Sequence, residues 1–237
     1  MKEERRRGPP IIRKDKESGA LGEWGANGLI SAGVAFNVGG MKANRTAVVE
    51  RNTRETRIRV ELDIDGGGKT DIETGVPFFN HMLELLGKHA LFDLTIRADG
   101  DLEVDDHHTV EDVGLALGTA LREALGDRKG IVRYGFSLLP MDETLARVAV
   151  DLGGRPYLVM EMANRSKRIK LFELGLLHEF MRAFATEARM NLHAAQLYGT
   201  DAHHAYESVF KGLARSLRMA CARDPRESGV PSSKGVL

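Results

Sequence analysis

His-His-Thr-Val-Glu at residues 107–111 returns as His-His-Ala-Tyr-Glu at 203–207, so one HHxxE pattern occurs twice, 96 residues apart. At the His and Glu frequencies of this chain, a single HHxxE arises by chance in roughly one such chain in fifty, and a pair in matching surroundings far less often. The surroundings do match. Residues 56–65 (TRIRVELDID) alternate Ile58, Val60, Leu62 and Ile64 with polar side chains, the period of a half-buried strand. A turn at Gly66-Gly67-Gly68 leads to a short strand over 70–74. Pro77 then opens a helix with Phe78, Met82, Leu85, Leu86 and Leu91 on its apolar side. A strand over 94–98 and a helix over 108–125, closed by Gly126, complete the unit. The second half reads the same way, with strands over 144–152 and 156–162, a helix over 174–188, a strand over 192–198 and a helix over 203–220.

Two copies of strand, strand, helix, strand, helix predict an α+β fold, a two-layer sandwich built from an internally duplicated half-domain. The half-repeats are expected at about 44–130 and 131–222, followed by a tail over 223–237. A period of 96 residues is too long for a solenoid. Residues 1–43 read differently. Arg5-Arg6-Arg7-Gly8-Pro9-Pro10 and a Gly/Ala-rich stretch show no sustained period, which predicts a disordered extension. Glu3, Glu4, Asp15 and Glu17 argue against a secretory or transit signal, and the composition change makes Met41 a candidate start.

Composition narrows the function classes. Lys+Arg and Asp+Glu are both 34, which disfavours a phosphate-backbone binder of nucleic acid. No apolar run reaches the roughly 18 residues of a membrane span. One cysteine, Cys221, excludes an intrachain disulfide and a thiolate zinc cluster, consistent with a reducing cytoplasm. No P-loop or GxGxxG follows a predicted strand, so no nucleotide cofactor is indicated.

The histidines carry the chemistry. On a helix, a His and a Glu four residues apart share a face, whereas adjacent histidines point about 100° apart and do not chelate one ion together. Each pair therefore points to two metals. A further histidine stands upstream in each half: His81, 26 residues before His107, and His178, 25 residues before His203. His81, His107, His108, Glu111, His178, His203, His204 and Glu207 divide into two sets of three imidazoles and one carboxylate. Such sets suit Mn, Fe, Co or Zn, and open octahedral positions favour Mn(II) or Fe(II). Asp105, Asp106 and Asp112 are candidates either for orienting the rings or for capping the helix.

At these residues the sequence resembles the imidazoleglycerol-phosphate dehydratases. The resemblance covers residues 44–237 through Arg51-Asn52-Thr53-Arg54-Glu55-Thr56, Phe78-Phe79-Asn80-His81-Met82-Leu83, Asp106-His107-His108-Thr109-Val110-Glu111-Asp112, His203-His204 with Glu207, Phe210-Lys211, and the terminal Ser-Ser-Lys-Gly-Val-Leu. It implies the eight metal ligands above, Mn2+ as two ions per active site, and sites lying between subunits of a homo-oligomer, a 24-mer built from trimers. It also implies a substrate phosphate held by His89, Arg133, Arg155, Lys211, Ser232 and Lys234. Two departures stand out: Asn80 where the family carries an acid, expected to weaken support for His81, and Leu85 where it carries Gln. Neither removes a ligand. His193 takes no role.

The implied reaction removes water from D-erythro-1-(imidazol-4-yl)glycerol 3-phosphate in L-histidine biosynthesis. No carbonyl lies beside the carbon that loses its proton, so the imidazole ring must accept the electrons. Glu55 is the candidate general acid/base, against the alternative of an ordinary solvent-facing glutamate at a strand end. Two other readings of the same residues stand beside this one. One is a dinuclear metallohydrolase of phosphate esters, for which more bridging Asp would be typical. The other is a non-enzymatic shell in which the histidines only join subunits.

Overall fold

A computed structural model describes residues 45–235; the extension read over 1–43, with Met41, lies outside them. The described residues are α+β and duplicated. The first half runs β1 (Thr46–Asn52), β2 (Thr56–Asp63), β3 (Thr70–Glu73), α1 (Pro77–Ala90), β4 (Asp93–Gly100) and α2 (His107–Leu125). The second runs β5 (Tyr134–Met141), β6 (Thr144–Asp151), β7 (Tyr157–Glu161), the short pair β8 (Arg168–Ile169) and β9 (Phe172–Glu173), α3 (Leu176–Glu187), β10 (Asn191–Tyr198) and α4 (Ala202–Cys221).

The duplication extends to topology. One sheet has the order β1-β2-β4-β3 and the other β5-β6-β10-β7, so equivalent strands occupy equivalent places. In each, the second strand pairs antiparallel with both neighbours and the two strands flanking the first helix are parallel, as a strand-helix-strand crossover requires. β2 buries Thr56, Ile58, Val60 and Leu62 on one face, and β6 buries Thr144, Ala146, Val148 and Val150 in the same alternation.

Each four-stranded sheet thus holds one strand more than the periodicity shows, and the second half adds the short β8-β9 pair. β1 and β5 are edge strands, covered mainly by one neighbour, and their patterns are blurred. β1 fully buries only Ala47. β5 turns Tyr134, Phe136 and Leu138 outward, the reverse of the usual apolar-in rule. On α1 the fully buried positions are Phe79, Met82, Leu83, Leu86, Gly87 and Ala90, with Phe78 and Leu85 only partly covered. Leu91 is not on that face at all: at φ 58° it is the left-handed residue that stops the helix, its N–H returning to the carbonyls of Gly87 and Lys88.

The helices join the halves. Phe180 on α3 packs edge-on against Phe79 of α1 at 5.3 Å between ring centroids and stacks on Phe184 of α3 and Phe210 of α4, both at 5.7 Å. α2 approaches α3 closely because Gly114 and Gly118 have no side chains. A Cβ there would stand 2.8 Å from the Phe180 carbonyl oxygen and 2.7 Å from that of Phe184. Arg128 ties this end of the core by donating to the carbonyls of Leu152, Ala188 and Arg189. No helix among the described residues is long and apolar enough to cross a membrane.

Because the obstacle at Gly114 is backbone, it cannot swing away. Gly114→Ala is expected to lower stability by about 1–3 kcal/mol, the cost of overpacking a close helix contact, despite the better helix propensity of alanine; a urea midpoint lower than wild type is the measurement.

Candidate metal centre

All eight predicted ligands stand within the first two turns of a helix: His81 on α1, His107, His108 and Glu111 on α2, His178 on α3, and His203, His204 and Glu207 on α4. The crossovers that begin these helices, and the Phe180 cluster that joins α1, α3 and α4, decide which of them meet.

His81, His203 and Glu207 meet. Each offers one ligand atom, and these atoms lie within 4.8 Å of one another, the one such three-donor group among the described residues. Glu207 Oε2 is 3.1 Å from His203 Nε2 and 3.8 Å from His81 Nε2, and the two imidazoles are 5.5 Å apart. Two imidazole nitrogens and a carboxylate oxygen at this spacing fit a divalent cation. The opposite oxygen of Glu207 faces Lys211 Nζ at 2.5 Å. Burial alone would raise the proton affinity of this carboxyl, but Lys211, with His81 and His203, outweighs it and holds Glu207 below the usual carboxylate range. It is therefore ionised at neutral pH.

The corresponding residues of the other helix pair are arranged differently. His107 Nε2 lies 3.3 Å from Glu111 Oε2, but His178 contacts its neighbour Glu179, at 3.8 Å, rather than joining them. Arg182 of α3 reaches Glu111 Oε1 at 3.4 Å and also pairs with Glu179. His108 and His204 each point elsewhere and are each held by an acid. His108 Nδ1 is 3.0 Å from Asp101, with Glu55 at 3.9 Å from its Nε2. His204 Nδ1 is 2.8 Å from Glu143. Hydrogen bonds to these carboxylates raise the pKa of both rings above that of an ordinary imidazole.

Asp101, Glu143 and Arg182 had escaped sequence reasoning. Asp105, Asp106 and Asp112 do other work than orienting rings. Asp105 accepts from the His107 N–H. Buried Asp112 accepts from the Thr56 hydroxyl at 2.6 Å and faces Arg51 Nε at 3.0 Å, tying the turn that carries Glu55 to the helix that carries His107 and His108. Asp106 makes no side-chain cap. Asn80 does not touch His81; its Oδ1 accepts from the Thr74 N–H and hydroxyl, fixing the entry to α1. Leu85 packs partly buried against the core. His193 is exposed on the outer face of β10, beside Arg147 and Glu161.

The residues expected at the phosphate fall into two groups. Arg133, Arg155, Ser232 and Lys234 line one open groove of about 780 Å³. Arg133 is buried and braced there, donating to Asp151 and to the Pro231 carbonyl, which fastens the C-terminal tail to the domain. His89 belongs instead with Lys211 beside the metal group. Burial first, then the nearby charges of Lys211 and Arg215, lower its pKa and keep the ring neutral.

Fold and site together define a duplicated α+β protein that gathers a His-His-Glu group, suited to a divalent cation, from both halves. A profile of the imidazoleglycerol-phosphate dehydratases matches residues 74–217. The chain is 57% identical over 194 residues to imidazoleglycerol-phosphate dehydratase of Methylorubrum extorquens and 54% identical over 193 residues to that of Bacillus pumilus, covering 81% of this chain and all of each relative. The crystal structure of the Staphylococcus aureus enzyme superposes with a TM-score of 0.69 at 37% identity, covering 76% of this chain and 99% of that one. The chain belongs to the imidazoleglycerol-phosphate dehydratase family.

Imidazole binds a metal only when the ligating nitrogen is free of its proton. Carboxylates raise the pKa of His108 and His204, so if these rings ligate, a metal ion displaces protons from them at pH values where ordinary imidazoles, near 6.5, are already neutral. Titration of the metal-free protein with a divalent cation is then expected to release protons, increasingly so as the pH falls through the raised pKa of these rings. Calorimetry in buffers of different ionisation enthalpy measures this release.

Proposed function

We propose that this chain is a metal-dependent lyase that converts D-erythro-1-(imidazol-4-yl)glycerol 3-phosphate into 3-(imidazol-4-yl)-2-oxopropyl phosphate in L-histidine biosynthesis, in the cytoplasm. The catalytic unit is residues 44–237, with 1–43 an extension. Membership of the family gives the substrate class, and the single observation that carries the reading to this chain is the convergence of His81, His203 and Glu207.

The metal is Mn2+, two ions per active site, held by His81, His107, His108, Glu111, His178, His203, His204 and Glu207. Bound there, Mn2+ supplies positive charge that stabilises electron density pushed into the substrate imidazole. The remaining work falls to side chains. One carbon of the glycerol arm loses a proton and the carbon beside the ring loses hydroxide, together one water. The resulting enol then takes a proton on the ring-side carbon and becomes the ketone. Glu55, exposed at the β1–β2 turn with its carboxylate 3.9 Å from His108, is free to accept the first proton and return one. Arg155 and Lys234, both exposed in the groove braced by Arg133, supply convergent donors for the phosphate dianion, with Ser232 beside them.

The two groups of cations are reconciled if the active site is shared between copies, with His89 and Lys211 of one chain facing the Arg155 groove of another. The incomplete second ligand group within one chain favours the same arrangement, as do Tyr134, Phe136 and Leu138, 55%, 70% and 62% exposed along edge strand β5. The assembly is a homo-oligomer, a 24-mer built from trimers.

Metal-stripped enzyme is expected to be inactive on imidazoleglycerol phosphate and to regain turnover with Mn(II), yielding a keto phosphate. Release of inorganic phosphate instead would identify a phosphohydrolase, and metal-dependent assembly without turnover would identify a shell. Glu55→Gln is expected to keep metal and assembly while kcat falls by about 10²–10⁴-fold, the usual contribution of a general acid/base; near-normal kcat would remove Glu55 from this role.

A further inference from the structure

The duplication lets one residue be compared with its own counterpart. Glu55 is the last residue before β2, and Glu143 the last before β6, and each is followed by a buried threonine, Thr56 or Thr144. The strands that follow have the same length and the same buried alternation. By descent from one half-domain, Glu55 and Glu143 occupy the same place, yet their surroundings differ completely.

Glu55 is open. Its nearest ionic neighbour is His108 Nε2, at 3.9 Å. Glu143 is fully engaged. Its Oε1 accepts from the backbone N–H groups of Thr200 at 3.0 Å and Asp201 at 2.8 Å, and from the Thr144 hydroxyl at 2.9 Å. Its Oε2 faces His204 Nδ1 at 2.8 Å.

The loops explain the difference. In the first half, Asp101 follows Gly100 and holds His108 Nδ1. The matching glycine of the second half is Gly199: Gly100 lies opposite Thr56, and Gly199 follows Tyr198, which lies opposite Leu145, so it comes beside Thr144, where a Cβ would meet the Thr144 hydroxyl oxygen at 2.0 Å. Yet the residue after Gly199 is Thr200, which carries no carboxylate. The β10–α4 loop is also shorter, three residues against the six between β4 and α2. The acid of that loop, Asp201, accepts from the His204 backbone N–H at 3.0 Å and not from its ring, and Glu143 reaches across from the neighbouring turn to hold the ring.

From this comparison we infer that Glu143 is the positioning residue of the second half: it fixes His204 as the Nδ1–H tautomer, leaving Nε2, with Asp142 at 3.7 Å, unprotonated and available to a metal, the task that Asp101 performs for His108. The same divergence accounts for the first half keeping a free glutamate, because Asp101 relieves Glu55 of holding a ring. The inference rests on the reading that His204 ligates a metal.

Glu143→Gln separates positioning from structure. A glutamine keeps an oxygen for the Thr200 and Asp201 N–H groups, but its amide N–H₂ would face His204 Nδ1 and favour the proton on Nε2, the wrong tautomer for ligation. Equilibrium dialysis of the full chain against Mn(II), with bound metal counted by atomic emission, is expected to show one of the two ions held about 10–100-fold more weakly than in wild type. Thermal unfolding of the metal-free variant should match wild type. Nitrogen-15 shifts of the metal-free wild type, recorded above the raised pKa of the ring, should place the single His204 proton on Nδ1, a measurement that needs no variant. Wild-type affinity for both ions in Glu143→Gln, or a proton on His204 Nε2 in the wild type, would overturn the role of Glu143. Wild type that takes up no Mn(II) at all would instead overturn the metal reading beneath it.

Discussion

The arrangement depends first on Phe180. Its ring meets Phe79, Phe184 and Phe210, so three helices from two halves of the chain share one contact at the centre of the core. His81 lies two residues beyond Phe79, and Glu207 lies three residues before Phe210, about one turn. The aromatic contact therefore sets how far apart α1 and α4 stand where their polar ends project, and the His-His-Glu group inherits that spacing. Interiors packed to crystal density resist small shifts, so a ligand group anchored one turn from such a contact is held to a narrow range of positions. α2 and α3 meet under a different rule, glycine against carbonyl, and their candidate ligands do not converge within the chain.

Duplication supplied two equal halves, and the chemistry made them unequal. The carboxylate of each HHxxE motif has a cation at its back, but from a different source: Lys211, on the same helix, for Glu207, and Arg182, from across the helix pair, for Glu111. Each outward histidine has an acid on Nδ1, again from a different source. A buried or half-buried carboxylate without such a partner would favour its protonated form and lose value as a ligand. The requirement is thus conserved between halves while the residue meeting it is not, which is what physical necessity without positional constraint produces.

That pattern also governs how much could be read beforehand. The eight candidate ligands, of which His81, His203 and Glu207 meet in one group, stood out because HHxxE is rare and its helical spacing has a direct geometric meaning, and β2, β6 and the four helices because one face of each is buried continuously. β1 and β5 were not, since an edge strand with apolar residues on its outer face has no clean period of two. The buried face of α1 was shifted by one position, because Phe78 and Phe79 are both apolar and only packing chooses between them. Asp101 and Glu143 were invisible for a different reason: an acid in a loop has no pattern, and its partner is seven residues away in one case and 61 in the other. The repeat held one usable clue, the glutamate preceding both β2 and β6.

The balanced composition takes on meaning only when charges are placed. Lys211 sits at Glu207 and close to His89, so one ammonium both neutralises a buried carboxylate and helps to keep a neighbouring imidazole neutral. A neutral His89 can still donate one hydrogen bond, whereas a protonated one would add a third cation beside Lys211 and Arg215 at the cost of mutual repulsion. Arg133 shows the opposite economy. Its guanidinium is spent on Asp151 and the Pro231 carbonyl, so it holds the tail and leaves Arg155 and Lys234 as the exposed donors of the groove. Cations of nominally one class have therefore separated into those that brace and those that remain available. Burial decides between them: a buried guanidinium must be paired, and only an exposed one keeps donors to offer a ligand.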